Sequence, residues 1–107
     1  MTKFIQIHCN CPNNETANLI AKELIACKLA ACVNILPELR STYRWQGEVE
    51  QATEFQLQIK TSMELYQAIE DKLIALHPYD VPEVIALPIV KGLPAYLDWI
   101  TENTNTL

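Results

Sequence analysis

One stretch, residues 31–60, limits what this chain can fold into more than any other. Val33, Ile35, Tyr43, Trp45, Val49, Phe55, Leu57 and Ile59 are the β-branched, aromatic and aliphatic residues that suit a pleated surface. The one obvious reversal within it is Gln46-Gly47. The pattern predicts a hairpin whose arms run about 13 residues, or ~43 Å at ~3.3 Å per residue. A chain of 107 residues folds to a radius of gyration of only ~13 Å. Arms of that length outrun what one copy can cover. Either Pro37 breaks the first arm, or the hairpin tip projects and pairs with another chain. Pro37 cannot donate to a ladder, so an edge or a bulge is expected there.

The flanks supply the rest of a sandwich. Residues 4–9 alternate as a strand, with Ile5, Ile7 and Cys9 on one face and Phe4, Gln6 and His8 on the other. Asn13 or Asn14 can cap a helix whose stripe is Ala17, Ile20, Ala21, Leu24 and Cys27. Thr61-Ser62-Met63-Glu64 reads as a capping box opening a second helix with Leu65, Ile69, Leu73 and Leu76 on one face. Pro78 ends it. Residues 77–83 form a stiff loop and residues 84–90 an apolar strand, which Pro88 places at an edge. Gly92 turns the chain, Pro94 starts a third helix with Tyr96, Leu97 and Ile100 inward, and a frayed polar tail follows Glu102. The order β-α-β-β-α-β-α is an α+β, ferredoxin-like split βαβ sandwich, one domain over residues 1–107, with an extra C-terminal helix. Its helices cover one sheet face. The other, expected to carry Tyr43, Trp45 and Phe55, calls for cover from further copies of the chain.

Composition removes several function classes. The net charge of −5 repels phosphate backbones, which speaks against nucleic acid as a partner. No apolar run approaches the ~18 residues of a membrane span, so no membrane partner is expected. The first residues carry no signal-peptide pattern, and a cytoplasmic location with the four cysteines reduced is expected. Cys9 and Cys11 share a strand face ~6.6 Å apart along the chain and suit a soft metal better than Cys27 and Cys32, which read as core filler. Glu48, Glu50 and Glu54 read as a solvated strand face. No nucleophile–base pair stands at a diagnostic spacing, and no enzyme activity is expected.

Several ordered blocks resemble one family. Ala30-Ala31-Cys32-Val33-Asn34-Ile35 leads into Ser41-Thr42-Tyr43-Arg44-Trp45-Gln46-Gly47, followed by Glu54, Ile59-Lys60-Thr61, His77-Pro78-Tyr79, Pro82-Glu83 and Tyr96-Leu97-Asp98-Trp99. These are similar to the signature blocks of the CutA divalent-cation tolerance proteins. The resemblance implies a homotrimer in which long hairpins pair around a threefold axis, a likeness to PII-type signalling trimers, and a role in tolerance to copper and other divalent metals. It implies copper ligation at Cys9 and His77, with Leu76 standing where the family has a further His. Cys11 is the neighbouring thiol that could complete a set for divalent or cuprous metal. Lys60, Tyr79, Glu83 and Trp99, with Tyr43 and Trp45, form a second candidate, a ligand pocket or subunit interface. Two readings stand: a metal-tolerance trimer that binds copper, and a PII-like regulatory module gripping a small anionic ligand or partner protein. Light scattering is expected to return about three times 12.2 kDa; a monomer at micromolar concentration would refute the hairpin argument.

Overall fold

Every strand in this sheet is placed by β1 (Phe4–Cys11), which is paired along both edges. A computed structural model describes residues 3–105. In chain order β1 is followed by α1 (Asn14–Ala26), β2 (Cys32–Trp45), β3 (Glu48–Ser62), a single 3-10 turn (Met63–Leu65), α2 (Tyr66–Leu76), β4 (Val84–Pro88) and α3 (Pro94–Glu102). The four strands stand in the order β2-β3-β1-β4, all antiparallel to their neighbours. Each β-α-β crossover thus leaves room for one strand between its ends: β3 sits between β1 and β2, and β1 between β3 and β4. This is the split arrangement expected from the element order.

The helices cover one face. Ile5, Ile7, Cys9 and Cys11 of β1 and Leu57 and Ile59 of β3 meet Ile20 and Leu24 of α1 and Ile69 and Leu73 of α2, all fully buried. Asn13 caps α1, its Oδ1 accepting from Thr16 N–H at 2.8 Å, worth about 1 kcal/mol. Lys72 Nζ reaches Glu23 Oε1 at 3.1 Å and ties α2 to α1 at the surface. α3 packs along β3, with Ile100 buried.

The hairpin is as long as expected; the bulge expected at Pro37 forms without ending β2, and the tip projects. The β2 register against β3 jumps from Leu36↔Gln56 to Leu39↔Glu54, so Pro37 and Glu38 oppose Phe55 alone. That bulge reverses which face the odd-numbered β2 residues occupy. Val33 and Ile35 face the helices, whereas Tyr43 and Trp45 pair with Glu50 and Glu48 on the opposite face. Beyond Phe55 only β2 accompanies β3, and the tip extends the molecule to 45 × 26 × 22 Å. Gln46 and Gly47 turn it with φ of 50° and 83°, the paired positive angles of a two-residue type I′ reversal.

Several local expectations are corrected. β1 runs two residues past Cys9, and Cys9 and Cys11 are the core thiols, while Cys27 and Cys32 are only half-buried. Cys27 Sγ donates to Glu23 Oε1. Phe55 packs on the helix side, opposite Tyr43 and Trp45, because the bulge separates their parity. No capping box forms: Thr61 is still in β3 and its hydroxyl donates to Leu29 O at 2.6 Å, and Ser62 makes no side-chain cap. β4 stops at Pro88, short of Val90. Gly92 has no positive φ; a Cβ there would meet the Leu97 side chain, Cδ2 at 2.9 Å, which would have to shift to admit it. Tyr96 lies exposed, stacked on Trp99 at 5.6 Å. The tail is anchored as far as Asn105, whose backbone N–H donates to Lys28 O at 2.8 Å and whose side chain donates to Cys27 O at 2.9 Å.

Leu24→Ala is expected to cost about 2–5 kcal/mol in urea unfolding, whereas Leu19→Ala, on the exposed face of α1, stays within about 0.5 kcal/mol. Gly47→Val, which puts a branched side chain at positive φ, is expected to cost about 1–2 kcal/mol by the same measurement.

Candidate functional site

The C-terminal end of β1 is where the chemistry collects. The strand alternation sends Cys9 and Cys11 toward the helices and Asn10 toward the open face. α2 ends at Leu76, and the 77–83 loop then wraps this strand end before β4 begins. His77 is 7% exposed and held at both ring nitrogens. Tyr79 N–H donates to Nδ1 at 3.1 Å, which leaves Nε2 to carry the proton and donate to Asn10 O at 2.7 Å.

On the helix side, Cys9, Cys11 and His77 each offer one ligand atom, all within 4.8 Å of one another. The hydrogen bond from Cys9 to the Cys11 sulfur holds the Cys9 thiol far above its ordinary value, with burial and the Glu83 and Glu54 charges adding to it. The same bond pulls the Cys11 thiol down, against burial. Of the pair, Cys11 is therefore the thiol that gives up its proton more readily, and binding of a soft cation displaces thiol protons. Both thiols are fully buried in the helix-side core, with His77 beside them.

On the open side of the strand end lies a cleft of about 630 Å3 between the hairpin and the 77–83 loop. Glu50 and Glu54 of β3 and Asp80 and Glu83 of the loop supply its charge, and Tyr43, Trp45 and Tyr79 its aromatic surface. Among the described residues, no lysine, arginine or histidine lines it. Glu54 is 7% exposed; Asn10 Nδ2 donates to its Oε1 at 3.4 Å and the Tyr79 hydroxyl to its Oε2 at 3.2 Å. Burial, then the Glu54 charge, pushes the Tyr79 phenol up to about 12.

The structure brings Cys9, Cys11 and His77 together, and Tyr43, Trp45, Tyr79 and Glu83 around one cleft. It leaves out Lys60 and Trp99. Lys60 pairs in register with Cys32 and donates to Asn34 Oδ1, six residues or ~20 Å along β3 from Glu54. Trp99 belongs to the aromatic pair on α3. Glu54, read from the sequence as one of a solvated row, is buried, and Asn10 joins it without having been singled out. The usable signal was the bulge at Pro37, which puts Glu54 opposite Leu39 on the face of Tyr43 and Trp45. An electronegative cleft does not suit the small anionic ligand of the PII-like reading.

In a Tyr66→Phe background, which removes the other phenol pushed up to about 12, absorbance titration is expected to show a tyrosine ionising near pH 12 that shifts downward in Glu54→Gln. The Tyr79 value lies above its unfolded value of ~10, so its contribution to stability is complete below pH ~10 and lost as pH rises through about 12.

Comparison with known proteins gives consistent matches. The profile of the CutA1 divalent ion tolerance protein family matches residues 5–103. The divalent-cation tolerance protein CutA of Thermus thermophilus is 52% identical over 93 residues, 87% of this chain and 90% of its own length. Protein CutA of Mus musculus is 41% identical over 97 residues, covering 91% of this chain but only 55% of the mouse protein. The crystal structure of CutA1 from Oryza sativa superposes with a TM-score of 0.96 at 42% identity, covering 99% of this chain and 97% of the rice chain.

Proposed function

This chain belongs to the CutA1 divalent ion tolerance family, and from that premise we propose that it is a cytoplasmic homotrimer that captures copper at Cys9, Cys11 and His77. The observation that carries the reading is the convergence of three ligand atoms within 4.8 Å. Metal–thiolate bonds of ~2.3 Å set two sulfurs on one ion at most ~4.6 Å apart, so the thiol pair needs little rearrangement to fit. Two thiolates and an imidazole are a soft set that suits cuprous copper, whereas Mg2+ and Ca2+ require oxygen.

His77 joins the ion only by giving up one of its present hydrogen bonds. The thiol pair is therefore the primary holder and the imidazole the third ligand. Because the thiols are fully buried, an ion reaches them when the 77–83 loop opens, which breaks the His77 bond to Asn10 O and the Tyr79 bond to Glu54. The same burial keeps larger substrates away and counts against a cysteine–histidine hydrolase. Bound copper here supplies sequestration: it is taken out of solution and out of redox exchange.

Support for assembly comes from the edges. β2 and β4 each have one unpaired edge, the hairpin tip is a bare two-stranded ribbon, and Trp45 at its end is 57% exposed. The open face adds Ile85 and Leu87, with Tyr96 and Trp99 exposed on α3. Pairing of edges between copies covers both at once.

With anaerobically purified protein and a competing chelator, Cys9→Ser with Cys11→Ser is expected to weaken Cu(I) binding by at least about 100-fold, and His77→Gln by about tenfold, with the light-scattering mass unchanged. Each ligating thiol gives up its proton, so affinity should rise by about tenfold per pH unit for each proton displaced. Parent-like binding by the double variant would overturn the assignment.

A further inference from the structure

We propose that Cys27 is a peroxide-reactive thiol whose sulfenic acid condenses with the Lys72 amine, forming a reversible sulfur–nitrogen bridge between α1 and α2. The starting point is one carboxylate oxygen. Cys27 Sγ donates to Glu23 Oε1 at 3.4 Å, and Lys72 Nζ reaches that same oxygen at 3.1 Å. Thiol and amine are thus held side by side on a shared acceptor. Glu23, and after it the Cys27 sulfur, hold the Lys72 ammonium above its ordinary value, in keeping with the sulfur lying beside the nitrogen.

Local rules build this arrangement. Glu23 and Cys27 stand four residues apart, so they share one face of α1. The Cys27 backbone N–H donates to Glu23 O at 3.0 Å, and the Asn105 side chain donates to Cys27 O at 2.9 Å. The thiol therefore stands on a backbone fixed at both its polar groups. Lys72 comes across from α2 on a flexible four-carbon stem that can follow the sulfur as a bond forms. Cys9 and Cys11 are fully buried, whereas Cys27 is half-buried, and the Lys72 and Glu23 side chains are 32% and 40% exposed. A small oxidant therefore meets Cys27 before the core pair. Cys32 is half-buried too, but its sulfur donates to the Asn34 amide oxygen rather than to a carboxylate.

Glu23 carries protons in both steps. First, Cys27 passes its thiol proton to the carboxylate, and the sulfur attacks one oxygen of hydrogen peroxide. The S–O bond forms, the O–O bond breaks, and the departing hydroxide takes the proton from Glu23 and leaves as water. The sulfur is oxidised by two electrons and the peroxide is reduced by two. Second, the Lys72 nitrogen attacks the sulfur of the sulfenic acid. One ammonium proton travels through Glu23 to the sulfenic hydroxyl, which leaves as water. Another is released to solvent, and the last stays on the bridging nitrogen. Two molecules of a small thiol reverse the bridge, returning the Cys27 thiol and the Lys72 amine and leaving one disulfide. Among the described residues Lys72 with Glu23 is the only ion pair, so the bridge turns the one electrostatic tie between α1 and α2 into a covalent one.

The test uses the full-length protein in its native assembly, freed of metal by chelation, treated with hydrogen peroxide and digested without reductant. Peptide mass spectrometry should find the Cys27 and Lys72 peptides joined with a net loss of two hydrogens, and dithiothreitol should separate them. Lys72→Arg keeps a cation for Glu23 but removes the condensing amine. Its Cys27 should instead be captured as sulfenic acid by dimedone, at least about tenfold more than in the parent. Glu23→Gln should slow bridge formation by at least about tenfold. Each variant alters a partly exposed side chain, and circular dichroism checks that it folds. Absence of the joined peptides, equal dimedone capture in the parent and Lys72→Arg, or an undiminished rate in Glu23→Gln would each overturn the proposal.

Discussion

The structure depends on β1 being hydrogen-bonded along both edges. A strand paired on two sides cannot slip by one residue without turning all its side chains over. Its alternation is therefore set by Ile5 and Ile7, which must stay under the helices. Cys9 and Cys11 continue that series into the core, and Asn10 is held between them facing the other way. One backbone segment thus contributes to two chemically different environments on opposite sides of the sheet.

The 77–83 loop joins those environments. His77 bonds to the Asn10 carbonyl and Tyr79 to the Glu54 carboxylate, so the loop is fastened on both sides of the same strand end. The same loop, through Tyr79, Asp80 and Glu83, forms one wall of the acidic cleft.

Most of the architecture was legible because it rests on periodicity. The strand of Ile5 and Ile7, the helical stripe of Ile20 and Leu24, the Gln46-Gly47 reversal and Pro94 at a helix start are local patterns, and each formed where expected. The failures share a cause. The Thr61-Ser62-Met63-Glu64 motif has capping chemistry, but the Thr61 hydroxyl found Leu29 O, thirty-two residues away. Cys27 and Cys32 lie in apolar surroundings along the chain, yet the thiols that reached the core were Cys9 and Cys11. Tyr96 sits on the helical stripe but stacks outside on Trp99.

The sequence by itself determined the element order, the overlong hairpin, the edge placement of Pro37 and Pro88, and the pairing of Cys9 with Cys11 on one strand face. These follow from residue spacing and backbone chemistry, which act over a few positions. Only the tertiary structure decided that His77 meets those thiols with both nitrogens already engaged, and that Glu54 is buried. It also decided that the bulge turns Tyr43 and Trp45 to the face of Glu54 while Phe55 goes to the core. The reason is register: one extra residue in β2 changes no local propensity, yet it reassigns every side chain beyond it to the opposite face of the sheet.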